Sequence, residues 1–457
     1  MLVDSHCHLE MPQFKNDRDE VIKRAKENGL EYVITVGTDK NSCKKAIELA
    51  HRYKEVYAVI GIHPHVAKTV DQSTYPLLRS LSKDEKVLAI GEIGLDFYRN
   101  RSPRDVQMKV FREQIHLAQE LDLPIVIHDR DAHRETVKIL NEEKRGDYKG
   151  IFHCFSGDYD MARKCLDMGF YLSISTTVTY RNNYRLQEIA RRVPLERLVV
   201  ETDAPFLTPE PYRGKRNEPS YVRFAAEKVA ALKNLSYEDV ARVTSLNLYT
   251  VFGLGRPPAK GTIAYKIRDS LYLNITNRCT NRCIFCPKPA SYLVKGYDLE
   301  LSKEPSVKEV LQAIDDPAAY KEIVFCGFGE PLLRLGELIT IAGELKKRGA
   351  RIRIDTDGQA NLVHKKNILP QLKGIVDSIS VSLNAESGET YQKLCNSPFG
   401  TDAYKGIKEF ILEARKWIPE VTATVVEMKF IDISRCQEIA EKELGVNFKL
   451  RPYNDLG

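Results

Sequence analysis

The sequence predicts an α/β chain built of two parallel-sheet units, an eight-stranded (β/α)8 barrel followed by a smaller six-stranded one. Three observations carry that prediction. Short runs of β-branched and apolar residues alternate with amphipathic stretches eight times within the first 257 residues, and a (β/α)8 ring needs about 250 residues. Histidines and carboxylates recur where those runs end, which is where such barrels keep their reactive groups. Beyond a stretch rich in glycine and proline the alternation resumes, opened by three closely spaced cysteines.

In order, the expected strands of the first half are Leu2–His6, Tyr32–Gly37, Tyr57–Gly61, Val87–Gly91, Pro124–His128, Gly150–His153, Phe170–Ser175 and Leu198–Glu201. Helical segments such as Arg18–Asn28, Lys40–Tyr53 and Pro103–Leu121 lie between them, and Gly29 is a suitable stop for the first. Residues Ser236–Phe252 form a closing helix. Gly253–Gly261, with Pro257 and Pro258 inside it, has the composition of a connector. The expected domains are therefore 1–257 and 258–457. In the second, Thr262–Ile267 and Ser270–Ile275 pair as short strands. Glu322–Phe325, Arg351–Asp355, Ser378–Leu383, Thr422–Glu427 and Phe448–Arg451 follow, making six strands in alternation from Ser270 onward.

Composition sets the bounds. With 43% hydrophobic and 29% charged residues in 457, the chain has ample material for two cores. No window is apolar for the length of a membrane span, and the start lacks the basic flank and apolar core of a signal peptide. A net charge of +6 permits an anionic partner without demanding one. Ten cysteines, one cluster and otherwise scattered, suggest reduced thiols plus a metal centre in a cytoplasmic protein.

Chemistry starts in the first strand. Alternation along a strand puts His6 and His8 on one side and Cys7 on the other, and neutral imidazole is the commonest protein ligand for a divalent metal. Gly61-Ile-His63-Pro-His65 follows the third strand, and Gly91-Glu92-Ile-Gly94-Leu-Asp96 follows the fourth. His128 ends the fifth, His153 the sixth, and Glu201-Thr-Asp203-Ala-Pro205 the eighth. One buried histidine at a strand end is ordinarily a satisfied hydrogen-bonding residue. Repetition at corresponding positions points to a shared metal site.

These motifs, with His153-Cys-Phe-Ser156-Gly157, resemble those of the TatD-type metal-dependent hydrolases over roughly residues 1–257. The resemblance implies nuclease-like hydrolysis of DNA or RNA ends. It also implies that His6, His8, Glu92 and Asp203 hold one metal, and that Glu92, His128 and His153 hold a second with Glu92 bridging. Glu92 and Asp203 would then be the catalytic carboxylates. Nitrogen and oxygen donors suit zinc or manganese, with magnesium also open. For substrate phosphate the candidates are His63, His65, Arg213 and Lys215, since guanidinium forks and ammonium charges match phosphate oxygens. Cys7 and Cys154 are expected to face the surrounding helices as small hydrophobes.

In the second half Cys279-Thr-Asn-Arg-Cys283-Ile-Phe285-Cys286 follows a strand directly. Three thiolates can ligate three irons of a [4Fe–4S] cube and leave the fourth iron open. Zinc is the alternative, although zinc sites generally pair two Cys-x-x-Cys knuckles. The spacing resembles the signature of the radical S-adenosylmethionine (SAM) enzymes, and Cys326-Gly327-Phe328-Gly329-Glu330-Pro331 resembles their Gly-Gly-Glu-Pro turn, with Phe328 in place of a glycine. The resemblance implies a partial (β/α)6 barrel, a cluster on Cys279, Cys283 and Cys286, and reductive cleavage of SAM fed by an electron donor such as flavodoxin or ferredoxin. SAM contacts are expected from Gly327, Gly329 and Glu330, then Ser382 and Asn384, with Thr356 and Asp357 as lesser candidates. Cys395 and Cys436 are expected to be single, packed thiols.

A fusion of the two halves resembles the TatD-linked radical SAM proteins. The leading expectation is a bifunctional enzyme, a two-metal phosphodiester hydrolase joined to a radical SAM domain with its own substrate. The alternative is a hydrolase of another ester or amide class, whose iron–sulfur domain serves as a redox sensor or nucleic-acid-binding module.

Overall fold

The computed structural model describes residues 2–288 and 290–453; Met1 and Gly457, the outer bounds of the expected domains, lie outside them. The chain divides into two compact units that part between Pro257 and Pro258.

The first unit is a ring of parallel strands in sequential order: β1 (Leu2–Cys7), β2 (Leu30–Gly37), β3 (Val56–Ile60), β4 (Val87–Asp96), β5 (Ile125–Arg130), β6 (Gly150–Phe152), β7 (Tyr171–Ser175) and β8 (Leu198–Glu201). The ring closes at its C-terminal rim. Asp203 N–H donates to His6 O (2.9 Å), and His8 N–H donates to Ala204 O (2.7 Å). The carboxylate of buried Asp4 accepts from the backbone N–H and the hydroxyl of Thr202. Side chains alternate between the two faces of the ring. Outward residues such as Leu2, Ile60 and Leu172 join the core under the helices. Inward ones, among them Val3, Ile34, Val59, Val126 and Val199, form a separate apolar cluster with Leu248 and Val251 of the helix Tyr237–Phe252. Ser236 caps the start of that helix with Asp239, and left-handed Gly253 ends it. The interior is thus filled with hydrocarbon, and polar function is left to the rim.

Two strands outrun their expected ends. β4 continues to Asp96 rather than stopping at Gly91, and β5 continues to Arg130, the two pairing through Gly94–His128 and Asp96–Arg130. Gly94 permits this. At φ +140° it lies so close to β5 that a Cβ there would stand 2.0 Å from His128 O. A register shift between Gly91 and Ile93 leaves Glu92 as the extra residue of a bulge, a device that re-aims a side chain.

In the second unit β9 (Ala264–Ile267) runs antiparallel to β10 (Ser270–Leu273), and a small hairpin of β11 (Leu293–Val294) and β12 (Tyr297–Asp298) follows. β13 (Ile323–Phe325), β14 (Ile352–Thr356), β15 (Ser378–Ser382), β16 (Glu420–Val426) and β17 (Asn447–Arg451) extend from β10 in parallel, and among the described residues the sheet does not pair back on itself. Ile323, Phe325, Ile354, Ile379, Val381 and Ala423 face the helices. The other face is largely polar, Val324 and Val426 aside. Register puts Arg353 beside Ser378, Asp355 in a row with Ser380, Thr422 and Asn447, and Ser382 in a row with Thr424 and Lys449.

Candidate functional site

At the rim of the first unit three imidazoles are each fixed from behind. His8 Nδ1 donates to Val36 O (2.9 Å). His153 Nδ1 donates to the carboxylate of fully buried Glu201, which also accepts from Cys154 N–H (2.7 Å). His128 Nε2 faces Asp96 Oδ2 at 3.3 Å, and that carboxylate is held by His65 Nε2 (2.8 Å) and by Arg99 N–H (2.6 Å). A carbonyl or carboxylate only accepts, so each contact puts the proton on the outer nitrogen and leaves the lone pair of the inner one facing the cavity.

What those inner nitrogens face is negative charge. His8 Nε2 lies 3.4 Å from Asp203 Oδ1 and 3.8 Å from Glu92 Oε2. His153 Nε2 lies 3.5 Å from Glu92 Oε1 and 4.0 Å from Asp203 Oδ1. His128 Nδ1 is in short contact with Glu92 Oε1. His6 adds Nε2 at 3.5 Å from Glu92 Oε2, and both of its ring nitrogens are buried without a hydrogen-bond partner. All six expected metal residues therefore converge, Glu92 touching each imidazole.

Lone pairs set against carboxylates repel unless a cation stands between them. Burial alone would lower the pKa of His128 and raise that of Glu92. Mutual charge outweighs burial in both, pushing His128 up to about 10 and holding Glu92 well below the usual carboxylate range. Burial likewise pulls His153 down, but Glu201 and Glu92 push it up to about 9. Protons thus supply the positive charge that the donor set calls for. Orphaned His6, outward-anchored imidazoles and ionised Glu92 and Asp203 fit a pair of divalent cations.

His63 is the exception. The backbone N–H of His65 donates to His63 Nδ1 (3.0 Å), so the ring proton sits on Nε2, 3.5 Å from Glu92 Oε1. Burial lowers its pKa to about 4, and it is a neutral N–H donor. It belongs spatially with Glu92 and His128, but its inner nitrogen has no lone pair to give. Arg213 and Lys215 lie exposed on the loop after β8, Arg213 over the ring of Tyr180 at 4.6 Å.

Sequence reasoning underrated Glu201 and Asp96. Both stood inside quoted motifs, two residues from Asp203 and four from Glu92, and both serve as the acceptor behind a histidine. Buried Glu10, which accepts from Thr35 Oγ1 (2.9 Å) and lies 3.5 Å from His8 Nδ1, had no signal beyond its position two residues past His8. Cys7 does join the helix-facing core. Cys154 departs from expectation: at φ +43° its sulfur turns to Ser175 Oγ (3.6 Å), because the chain bends left-handed directly after β6.

In the second unit the cysteine loop and the glycine turn are one packed piece. Glu330 N–H donates to Arg278 O (2.8 Å). A Cβ on Gly329 would stand 2.2 Å from Thr276 O, and one on Gly327 would stand 2.5 Å from Asn274 Oδ1. Glu330 is buried; its carboxylate accepts from Leu332 N–H, Thr356 Oγ1 and Asp357 N–H, tying the turn to the end of β14. Cys279 is exposed and Cys283 and Cys286 half-buried, beside a cavity of about 720 Å³ that Cys279, Lys288 and Lys365 help line. Three thiols on a pinned loop, the outermost open to that cavity, fit a cluster with one free iron. Asn384, buried and left-handed at φ +54°, has an unpartnered Oδ1, whereas Ser382 Oγ accepts from Arg451 (3.4 Å). Cys395 is a free, buried thiol; Arg282 N–H donates to its carbonyl (2.9 Å), and Asn384 Nδ2 donates to its sulfur (3.8 Å). A separation of 113 positions hid the Arg282 contact from the sequence.

A family model described as TatD related DNase matches residues 3–253, and one for the Radical SAM superfamily matches residues 273–442. The uncharacterized metal-dependent hydrolase YabD of Bacillus subtilis is 46% identical over 252 residues, 55% of this chain and 99% of that protein. The 3′-5′ ssDNA/RNA exonuclease TatD of Salmonella typhimurium is 34% identical over 257 residues, 55% of this chain and 98% of that one. The crystal structure of the TatD homolog YJJV from Escherichia coli superimposes with a TM-score of 0.53 at 28% identity, covering 56% of this chain and 98% of that one.

Proposed function

The chain belongs to the TatD-related DNase family through residues 3–253 and carries a radical SAM domain over residues 273–442, and from that premise we propose two activities: phosphodiester hydrolysis of nucleic acid in the first unit, and reductive SAM cleavage in the second. The observation that carries the first is the set of three imidazoles anchored from behind and aimed at Glu92 and Asp203. His6, His8, Glu92 and Asp203 would hold one divalent cation, and Glu92, His128 and His153 the other. Such a pair supplies a hydrolytic nucleophile at neutral pH and offsets charge on the phosphodiester.

The protein's own groups do the rest. Asp203 is 15% exposed against 3% for Glu92, so it is the carboxylate that reaches solvent and accepts the proton of the attacking water. His63 presents Nε2–H to a phosphate oxygen. Arg213 and Lys215 grip the backbone of a single-stranded end, a reading favoured by the exonuclease among the relatives. The apolar interior below keeps water from entering behind the substrate.

In the second unit Cys279, Cys283 and Cys286 would hold a [4Fe–4S] cluster, which with bound SAM and an electron from a flavodoxin- or ferredoxin-like donor supplies a hydrogen-abstracting radical. Glu330 keeps the glycine turn against the cysteine loop, and Asn384 and Ser382 would contact the cofactor.

Protein purified without oxygen tests both halves. His128→Ala is expected to lower divalent metal content and abolish cleavage of a labelled oligonucleotide while iron and 5′-deoxyadenosine formation persist. Cys283→Ala is expected to do the reverse. An oligonucleotide left intact with every divalent ion would redirect the first unit toward esters or amides. Iron without SAM cleavage would make the second a redox or binding module. Among the described residues no helix is long and apolar enough to cross a membrane.

A further inference from the structure

We propose that the helix-free face of the second sheet is the binding site of a small polar molecule carrying an anionic group, phosphate or carboxylate, gripped by Arg451 and Lys449. This rests on the radical SAM reading for its reaction, but not for its binding. The face carries cations in two conditions. Arg353 is partly compensated, with Glu322 Oε1 at 3.4 Å and Asp355 Oδ1 at 3.6 Å. Arg451 and Lys449 on β17 face no carboxylate within ion-pair distance among the described residues; Arg451 makes only a 3.4 Å hydrogen bond to Ser382 Oγ. Two uncompensated cations beside the hydroxyl of Ser382 form an anion cradle of the kind that binds phosphate or carboxylate oxygens.

The far end of the same face is polar and unfinished. Ser378 is 7% exposed and its Oγ has no partner, while buried Arg353 Nε and Asp355 Oδ1 make no hydrogen bond and meet each other only at ion-pair distance, 3.6 Å. A buried polar atom without a partner is costly, so the Ser378 hydroxyl, beside an ion pair too long to be a hydrogen bond, marks a surface that meets polar ligand atoms. Asp355 and Ser378 suit the hydroxyl or amino groups of the ligand's body, and Arg451 and Lys449 suit its charged end. An apolar substrate would leave the Ser378 hydroxyl without a partner and Arg451 and Lys449 without a counter-charge.

The test uses the full chain with its cluster built anaerobically and the first unit cleared of divalent metal by chelation. Calorimetric titrations compare adenosine 5′-monophosphate, L-glutamate and uncharged adenosine. The expected result is saturation by at least one charged probe and none by adenosine. The monophosphate alone identifies phosphate as the anion, and glutamate alone identifies carboxylate. Arg451→Ala and Lys449→Ala should each weaken binding by about tenfold or more, Arg451→Lys should recover part of it, and Lys405→Ala on an exposed helix should change nothing. The proposal is overturned if no charged probe saturates, or if the β17 variants bind like the parent protein. Formation of 5′-deoxyadenosine, assayed separately, keeps the two readings apart. Its absence beside Arg451-dependent binding removes the reaction and leaves the site; its presence without such binding removes the site.

Discussion

The two parallel sheets of this chain turn opposite chemistry inward. In the ring of β1–β8 the inward residues are Val3, Ile34, Val59, Val126 and their neighbours. On the corresponding face of β10–β17 they are mostly polar, Tyr272, Arg353, Asp355, Ser378, Ser380 and Thr424 beside Val324. The cause is closure. A ring that pairs its last strand with its first shuts water out, and the interior must then be filled by side chains that need no partner. A sheet that does not pair back on itself among the described residues keeps that face in reach of solvent and ligand, so polar side chains are tolerated along the strands. The first unit concentrates its chemistry in one rim, where donors from five strands and their loops meet. The second spreads it down a trough, where no short motif records it.

The sharpest way to break this contrast is at the rim. If function there depends on convergent donors, Glu92→Gln, which touches every imidazole, should cut hydrolysis on the order of 10³-fold. Chelation of the parent protein should do the same and be reversed by added metal, measured on a labelled oligonucleotide. Equal activity in the variant would mean that the donors are structural. A milder change sharpens the same point. Glu201 is fully buried and accepts from His153 Nδ1 on the side away from Glu92, so it is a positioning residue. Glu201→Gln should weaken metal binding by about 10- to 100-fold, read by titration of the apoprotein, with β8 and the fold intact by circular dichroism.

The glycine turn of the second unit predicts a pH response of its own. Burial, together with the charge of Asp357, raises the Glu330 carboxyl well above its ordinary value. A carboxyl raised in the folded state contributes stability fully below its unfolded pKa, near 4.5, and that contribution is lost as pH rises through the folded value. Apoprotein should therefore become less stable in its second unit above about pH 4.5, with a slope of at most about 1.4 kcal/mol for each tenfold fall in proton concentration. The chain's one tryptophan, Trp417, lies in that unit, so its fluorescence reports the transition. Glu330→Gln should flatten the profile; a slope unchanged in the variant would place the titration elsewhere.

How much of this was legible in the sequence follows from the same contrast. The eight strands of the ring and the six residues proposed as its metal donors stood in the sequence because those residues lie in or just past the C-terminal halves of the strands, where a His, Glu or Asp stands out from the apolar run. Glu92 was found although its strand was misjudged. Gly91 and Gly94 look like punctuation, and only tertiary packing shows that a missing Cβ lets β4 run on against His128. The acceptors behind the histidines were harder, since Asp96 and Glu201 acquire their role from strands distant in sequence. The neutral donor state of His63 depends on one backbone N–H and has no sequence signature. In the second unit the cysteine and glycine motifs were plain, but the polar trough was not, because Ser378, Ser380 and Thr424 look like ordinary strand residues until register lines them up.

The smallest effect tests the physical cause itself. Val126 is 2% exposed inside the ring, and Ser378 is 7% exposed on the open face with an unpartnered hydroxyl. Val126→Thr changes shape little but puts a hydroxyl where no acceptor waits, and should cost about 1–3 kcal/mol. Ser378→Ala removes a hydroxyl that already lacks a partner, and should leave stability unchanged or raise it by up to about 1 kcal/mol. Urea unfolding reads the first through hydrogen exchange of the ring strands and the second through Trp417. Opposite signs are expected for the same atom, added in one sheet and removed from the other. A cost for Ser378→Ala as large as that for Val126→Thr would mean that its hydroxyl is satisfied in the folded protein, and the trough would then lose its claim to meet a ligand at that end.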